Sequence, residues 1–129
     1  MRLRAHHIYC LTFSKHNFSK RGEDFVRALD RVKQIVRQES NEPLEAICGP
    51  DEVCQICPLY KDNGCHSPQG AEEGARKLDS IILKGLGVSV GTILTVSEWR
   101  KLIEQKAPLD FCSRCRERHL CDFGGGDTV

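Results

Sequence analysis

The sequence predicts a small, mainly helical α+β domain with cysteine-rich, metal-stapled loops near both ends. Three observations predict this fold class. Apolar residues recur at helical spacing in three long segments, short stretches between them alternate as strands do, and the cysteines gather in two groups. We expect residues 1–129 to form one metal-binding domain with a modest core, and residues 121–129 to be a flexible tail.

The bulk composition narrows the function classes. A formal net charge of +1 gives no electrostatic case for nucleic acid or an anionic membrane as a partner. No apolar run approaches the roughly 20 residues of a membrane-spanning helix. The first residues lack the apolar block of a secretory signal, so we expect a cytoplasmic protein. In a reducing cytosol, eight cysteines with six of them in two groups favour metal ligation, and disulfides are the alternative in an oxidising compartment.

The first cysteine group reads C-Q-I-C-P-L-Y-K-D-N-G-C and ends at Cys65. Cys54 and Cys57 are two residues apart and can point both thiolates at one metal. Pro58 prevents a helix from continuing through the pair, and an Asn-Gly turn brings Cys65 back towards it. The spacing therefore predicts three metal ligands in this stretch.

The second cysteine group lies near the other end of the chain and contains Cys112, Cys115 and Cys121. In a continuous helix, Cys112, Cys115 and His119 would share one face and Cys121 would lie opposite. A bend before Cys121 would instead complete a set of three thiolates. We favour the bend because a run of three glycines follows shortly afterwards.

The longer segments predict the helical framework. Apolar residues at helical spacing predict a helix over residues 22–39, with Ser19 as its N-cap, and a second over residues 71–86 that Gly87 ends. We expect Ile81 to face the core from this second helix. Thr95 begins a capping box and with it a third helix, which carries the core residues Trp99, Leu102 and Ile103.

A short strand is predicted before the first cysteine group. Residues 44–48 alternate between apolar and polar side chains, as a half-buried strand does. Cys48 continues the apolar positions of this alternation. We therefore interpret Cys48 first as a core thiol and only second as a metal ligand.

The opening of the chain supplies further candidate ligands. Residues 6–13 are apolar enough to form a short buried helix, on which His6, His7 and Cys10 would share a face. These three residues are either metal ligands with their supporting shell or a buried structural group. The sequence alone supports both interpretations equally.

The number of ligands leaves the site architecture and the metal open. A tetrahedral zinc site and a four-iron (4Fe–4S) cluster each need about four protein ligands. One shared site would leave two of the six clustered cysteines unused, whereas two sites need two more ligands. The paired cysteines with nearby histidines favour one or two zinc ions, and the surplus of cysteines favours an iron–sulfur cluster. The candidates to complete the sites are Cys10, Cys48, His6, His7, His66 and His119.

Several motifs together resemble one protein family. They are R-L-R-A-H-H-x-x-C from Arg2, G-P-D-x-x-C-x-x-C-P from Gly49, the dipeptide Gly64-Cys65, and F-C-x-x-C-R from Phe111 followed by Cys121. This combination resembles the bacterial and archaeal family called domain of unknown function 1284, over nearly the whole chain. The resemblance implies an iron–sulfur cluster without an established activity, and it moves our preference from zinc to iron–sulfur.

The same resemblance indicates which residues belong to the family motifs. His6 and His7 belong to the shared opening, which favours a role for both at the metal. Cys48 matches no motif, which favours an incidental thiol. The cysteines at motif positions are Cys10, Cys54, Cys57, Cys65, Cys112, Cys115 and Cys121.

Three function hypotheses follow. The first is an iron–sulfur protein for electron transfer or redox sensing, which would need a redox partner protein. The second is a structural zinc module that serves a protein or nucleic-acid partner, and which would unfold when chelated. The third, and weakest, is a zinc enzyme with Glu52 as acid or base beside His6, His7 and Cys10.

Overall fold

The computed structural model describes residues 1–14, 21–61, 64–66, 71–110 and 112, and for Cys65 it describes the backbone alone. Cys115, His119, Cys121 and residues 121–129 lie outside this part of the chain. In chain order, the described elements are β1 (Arg2–Arg4), α1 (Ala5–Phe13), α2 (Glu23–Arg37), β2 (Pro43–Ile47), α3 (Glu52–Ile56), β3 (Tyr60–Lys61), β4 (Gly64–Cys65), α4 (Ala71–Leu86), β5 (Ile93–Thr95) and α5 (Val96–Lys106).

A small mixed sheet holds the ends of several helices together. Its strand order is β1-β2-β5, with β1 parallel and β5 antiparallel to the central β2. Leu3 pairs with Ala46 and Leu44 with Leu94, so that Leu3, Leu44 and Ala46 are buried against the helices. The predicted α+β class is confirmed, and the strand predicted at residues 44–48 is β2.

The helices follow the predicted segments closely. α4 has the predicted bounds and ends at Gly87, whose φ of 75° suits a glycine. The capping box of Thr95 and Glu98 is present at the start of α5. The predicted N-cap of α2 is wrong, because the helix begins after Gly22, whose φ of 95° favours glycine, and Ser19 lies outside the described residues.

The hydrophobic core lies between α1, α2, α4, α5 and one face of the sheet. α2 contributes its predicted apolar stripe of Phe25, Leu29, Val32 and Val36. Trp99 of α5 is buried, and its indole Nε1 donates a hydrogen bond of 2.7 Å to the carbonyl oxygen of Leu44. Trp99 is therefore the core anchor that the sequence predicts.

Two predicted burials are wrong, for identifiable reasons. On α4, Asp79 is buried at 0% exposure, together with Ile82, Leu83 and Leu86, whereas Ile81 is 40% exposed. The helix turns this carboxylate inward because buried donors lie opposite it. Cys48 is half-exposed rather than buried, because β2 ends at Ile47 and the chain bends at Gly49, which has a φ of 131°.

The first cysteine group combines a helical turn with a hairpin. Cys54 lies in the short helix α3, which the sequence analysis did not predict and which ends before Pro58. β3 and β4 pair antiparallel, and Tyr60 lies opposite Cys65. Of the predicted Asn-Gly turn, Gly64 belongs to β4 and Asn63 lies outside the described residues. In the part of the chain that the structure describes, no helix combines the length and the apolarity needed to cross a membrane.

Candidate metal centre

The junction of β1 and α1 places three residues, Arg4, His6 and His7, at the centre of the site. Arg4 is the last residue of β1 and the N-cap of α1, and it uses both its backbone and its side chain in the interior. The next helical turn carries His6 and His7, whose side chains are 19% and 16% exposed. Their ring centroids are 4.5 Å apart, at an interplanar angle of 69°. The two imidazoles therefore contact each other although neighbouring helical residues diverge by about 100°.

Asp51 joins His7 to the helix that carries Cys54. As the N-cap of α3, its Oδ1 accepts hydrogen bonds from the backbone N–H groups of Val53 and Cys54 at 3.0 and 3.2 Å. Its Oδ2 accepts the backbone N–H of Arg4 at 2.9 Å and His7 Nδ1–H at 2.6 Å. Burial opposes ionisation, but the bond and charge of His7 and these backbone donors lower the pKa of Asp51 to about 2.

Asp79 holds His6 in the same manner from the opposite side. Its Oδ1 accepts the backbone N–H and the Nδ1–H of His6 at 3.0 and 2.8 Å. Its Oδ2 accepts Arg4 Nε–H at 3.0 Å and the backbone N–H of Gly49 at 3.2 Å. Burial opposes ionisation here too, but the bonds and charge of His6, followed by the charge of Arg4, lower the pKa of Asp79. Burial and the neighbouring His7 lower the pKa of His6.

The Arg4 guanidinium connects the two histidine–aspartate pairs to a thiol. The residue is 1% exposed, and beyond its bond to Asp79 it donates from Nη1 to Cys54 Sγ at 3.4 Å and from Nη2 to Glu72 at 3.0 Å. Burial works against the charge, but the bond to Glu72 and the charge of Asp79 outweigh it and raise the pKa of Arg4. Arg4 is therefore a permanently charged residue between the buried carboxylate of Asp79, the partly buried carboxylate of Glu72 and the sulfur of Cys54.

Cys54 completes a group of donor atoms that could hold a metal ion. One ligand atom each from His7, Asp51 and Cys54 lie within 4.8 Å of one another. Burial and the negative charge of Asp51 raise the pKa of the Cys54 thiol to about 11. Without a cation the sulfur is therefore a thiol at neutral pH, and a bound metal would displace its proton.

The formal charges of this cluster do not balance. Asp51, Asp79 and Glu72 bring three negative charges, and Arg4 and Arg76, which also pairs with Glu72 at 2.9 Å, bring two positive charges. Counted with neutral histidines and a protonated Cys54, one negative charge remains in a partly buried region. A divalent cation that displaced the Cys54 proton would balance the cluster, and buried charges are stable only when they are balanced.

The remaining predicted ligands lie at several places. Cys57 is the C-cap of α3, and Arg21 Nη1 approaches its sulfur at 3.9 Å. Cys10 lies on α1, one turn after His6 and His7, and packs partly buried against the core. The Tyr9 hydroxyl accepts the backbone N–H of Leu109 at 3.0 Å and lies 3.3 Å from Cys112 Sγ. For Cys65 the structure describes only the backbone, and Cys115 and Cys121 lie outside the described residues.

Three other residues considered in the sequence analysis lie away from the group. Cys48 donates to the carbonyl oxygen of Arg76 at 3.5 Å, and His66 Nε2 is 3.0 Å from the carbonyl oxygen of Lys61. Glu52 forms an ion pair of 3.7 Å with Arg31 at the surface. The ion pair with Arg31 therefore gives no support to the hypothesis that Glu52 acts as an acid or base beside the histidines.

Sequence reasoning missed Arg4, Asp51 and Asp79 as site residues. One local signal could have identified Asp51. It stands two residues after a glycine and three before Cys54, which is a typical position for a helix N-cap. Asp79 interrupts the apolar stripe of α4, which is a weaker signal. The pairing of Arg4 with Asp79 joins positions 75 residues apart and leaves no trace in local spacing.

Comparison with known proteins gives a family but no activity. A family model described as a protein of unknown function (DUF1284) matches residues 22–121. Neither the curated proteins nor the solved structures include a match to the chain. The match covers Asp51, Cys54 and Asp79, whereas Arg4, His6 and His7 lie before it.

Proposed function

The chain belongs to the DUF1284 family of unknown function, and we propose that its biochemical role is to bind a transition-metal ion at the cluster of Cys54, His7 and Asp51. One observation carries this proposal. A thiol, an imidazole and a carboxylate offer ligand atoms within 4.8 Å of one another, on three segments that the fold brings together. Sulfur and imidazole nitrogen are donors for borderline and soft metals.

The charge of the cluster supports the proposal. The cluster contains the three carboxylates of Asp51, Asp79 and Glu72 and the two guanidinium groups of Arg4 and Arg76. Counted with neutral histidines, a divalent ion that also ionised Cys54 would change the formal net charge from one negative charge to zero. The binding free energy would have to include the loss of the Cys54 proton.

Folding of this chain would not depend on the bound ion. Both aspartates have hydrogen-bond donors on each oxygen, and a hydrophobic core already joins α1, α2, α4 and α5. A structural zinc module of the kind that unfolds without metal lacks such a core. We therefore infer that the metal serves chemistry, sensing or transfer, and that the metal-free protein remains folded.

The mixed donor set favours a mononuclear ion such as Zn²⁺ over a cluster. Iron–sulfur clusters are held mainly by cysteine thiolates. Among the described side chains, the one group of donors close enough to bind a metal contains a single cysteine together with a histidine and an aspartate. This composition is typical of zinc and similar divalent ions.

An iron–sulfur cluster is the second candidate, and a specific observation favours it too. Cys10, Cys57 and Cys112 all lie partly buried at the edge of the core, and each stands at a family motif position. With Cys54 they would supply four thiolates if the chain moved to bring them together. Electron transfer to a partner protein, or redox sensing, would then be the role.

Purification without oxygen, followed by metal and sulfide assays on the same sample, tests the proposal. We expect a colourless protein with about one zinc or similar ion per chain and no acid-labile sulfide. After chelation, circular dichroism should still show a folded protein. A brown protein with matched iron and sulfide would establish the second candidate, and a metal-free protein that binds no added Zn²⁺ or Co²⁺ would overturn the proposal.

A further inference from the structure

The last turn of α3 joins Cys54 to Cys57. Cys54 belongs to the helix, and Cys57 is its C-cap, whose backbone N–H donates to the carbonyl oxygen of Cys54 at 3.1 Å. Residues three apart in an α-helix have Cα atoms about 5 Å apart, because the chain rises about 4.5 Å between them and almost completes a turn. Disulfides join Cα atoms that are about 4.4–6.8 Å apart. The backbone therefore holds the two cysteines at a distance that a disulfide can span.

The side chains of this pair also leave the same side of the helix. Cys57 has a φ of −72°, and because helical residues have a φ of about −63°, its Cβ continues the helical arrangement. Neighbours of this kind have Cβ atoms about 5–6 Å apart, whereas a disulfide needs about 3.5–4.5 Å. The turn must therefore close by about 1–2 Å. Since α3 ends at Ile56 and Cys57 has an extended ψ of 128°, this closure affects a single short helix.

The two sulfurs differ in their access to solvent. Cys54 is 7% exposed, and its sulfur accepts a hydrogen bond from Arg4, whereas Cys57 is partly exposed. A reagent from solution therefore reaches Cys57 first. Cys54 is the thiol that can close a disulfide from the interior, and it is also the sulfur of the proposed metal site.

We infer that Cys54 and Cys57 form a reversible disulfide that releases the metal ion, so that the site binds metal only when both cysteines are reduced. This inference rests on the proposed metal binding by His7, Asp51 and Cys54 and adds its regulation. The thiolate is the form of cysteine that binds a metal, and a sulfur in a disulfide is no longer a thiolate. The ion would keep only two of its three protein ligands and would dissociate.

The oxidant in this reaction is a low-molecular-weight disulfide, such as glutathione disulfide. The Cys57 thiolate attacks one of its sulfurs, the S–S bond breaks, and the first glutathione leaves and takes up the proton that Cys57 lost. Cys54 Sγ then attacks Cys57 Sγ in the mixed disulfide and displaces the second glutathione, which takes a proton from water as the ion leaves. The two cysteines lose two electrons, and one glutathione disulfide becomes two thiols.

Treatment of the zinc-loaded protein with glutathione disulfide under nitrogen tests this inference. A chromogenic chelator measures the Zn²⁺ released above the rate without the oxidant, and mass spectrometry after alkylation of the remaining thiols locates the disulfide. We expect one ion released for each disulfide formed between Cys54 and Cys57. Cys57→Ser should release its bound ion at least about tenfold more slowly, because the thiol that reacts first is absent. Cys48→Ser, which removes a half-exposed thiol nearby, is the matched control and should release Zn²⁺ as fast as the wild type does.

Three results would overturn the inference. The first is a disulfide that joins Cys48 to either cysteine of the pair. The second is a reaction that stops with glutathione on Cys57, and the third is a Cys54–Cys57 disulfide in a chain that keeps its ion.

The same treatment of the metal-free chain separates this inference from the proposed function. A wild-type chain that binds Zn²⁺ but forms no Cys54–Cys57 disulfide, with or without the ion, would overturn the inference and leave the metal-binding proposal standing. A chain that forms this disulfide but binds neither Zn²⁺ nor Co²⁺ would overturn the metal-binding proposal and, with it, the release of an ion.

Discussion

Cys48 and Cys54 lie six residues apart, yet their surroundings are opposite. Cys48 is half-exposed beyond the end of β2, and its thiol donates to the carbonyl oxygen of Arg76. Cys54 is buried in α3, where it accepts from Arg4 and lies within 4.8 Å of donor atoms of His7 and Asp51. The comparison shows that an apolar position in a strand pattern does not identify a metal ligand. Cys54 is a candidate ligand because residues distant in the sequence place donor atoms and charges beside its sulfur.

Arg4 is the neighbour that most distinguishes the two cysteines, and its removal should have the largest effect. Arg4→Met would leave Asp79 and Glu72 without their shared cation in the interior. We expect a loss of about 3–5 kcal/mol in the free energy of unfolding, measured by urea denaturation of the metal-free protein. Arg2→Met removes an exposed ion pair with Glu45 and should cost less than about 1 kcal/mol. Equal stability of the two variants would contradict the role given to Arg4.

The second prediction compares the cysteines directly. Cys54→Ser should weaken Zn²⁺ binding by more than about 100-fold, beyond the usual effect of losing a residue that only supports a ligand. Cys48→Ser should bind Zn²⁺ as the wild type does, because the Cys48 thiol contacts the carbonyl oxygen of Arg76 and the hydroxyl of Ser80 and not the metal-binding cluster. Competition with a chelator of known affinity measures both. If both variants lost binding equally, the assignment of Cys54 would fail.

Acid should destabilise the folded chain by protonating Asp51, which lies beside Cys54. The pKa of Asp51 is lowered from 3.8 to about 2 in the folded chain. Its ionised form therefore contributes stability above pH 4, and this contribution is lost as the pH falls from about 4 to about 2. The shift corresponds to about 2 kcal/mol. Urea denaturation at a series of pH values should show this loss in the wild type.

The matched variant for this pH dependence is Asp51→Asn, which cannot titrate. We expect its stability to be lower at neutral pH and to fall less steeply between pH 4 and pH 2. Identical slopes for the variant and the wild type would show that Asp51 does not carry this dependence.

The smallest effect concerns the turn between the two cysteines. Gly49 has a φ of 131°, and an added Cβ would lie 3.2 Å from the Arg76 guanidinium, which is a flexible side chain. Gly49→Ala should therefore cost about 1–2 kcal/mol, mainly through backbone strain. The neighbouring Cys48→Ala should change stability by less than about 0.5 kcal/mol. A thermal unfolding midpoint of Gly49→Ala equal to that of the wild type would contradict this account of the turn.

The sequence predicted the elements whose signals are local. α4 was predicted with its observed bounds, and the capping box of Thr95 follows from two residues at a fixed spacing. The apolar stripe of α2 is equally local. β1 was missed because three residues are too short to show a period of two, and α3 was missed because one helical turn has no periodic pattern.

For the candidate site, the sequence identified the types of ligand but not their support. Cys54, His6 and His7 were recognised by residue type and spacing. Asp79 could not be paired with Arg4 or His6 in advance, because a polar residue within an apolar stripe has no partner until the helices pack. The prediction that Ile81 faces the core was wrong for the same reason. The periodic pattern assigns an apolar residue, and not a carboxylate, to the buried face of a helix.

X-ray absorption at the metal edge of the protein as purified without oxygen tests the central claim most directly. The account predicts one ion with mixed ligation, with nitrogen and oxygen ligands at about 2.0–2.2 Å and a single sulfur at about 2.3 Å for zinc. A first shell of sulfur alone, with iron neighbours at short distance, would contradict it and would identify the site as an iron–sulfur cluster.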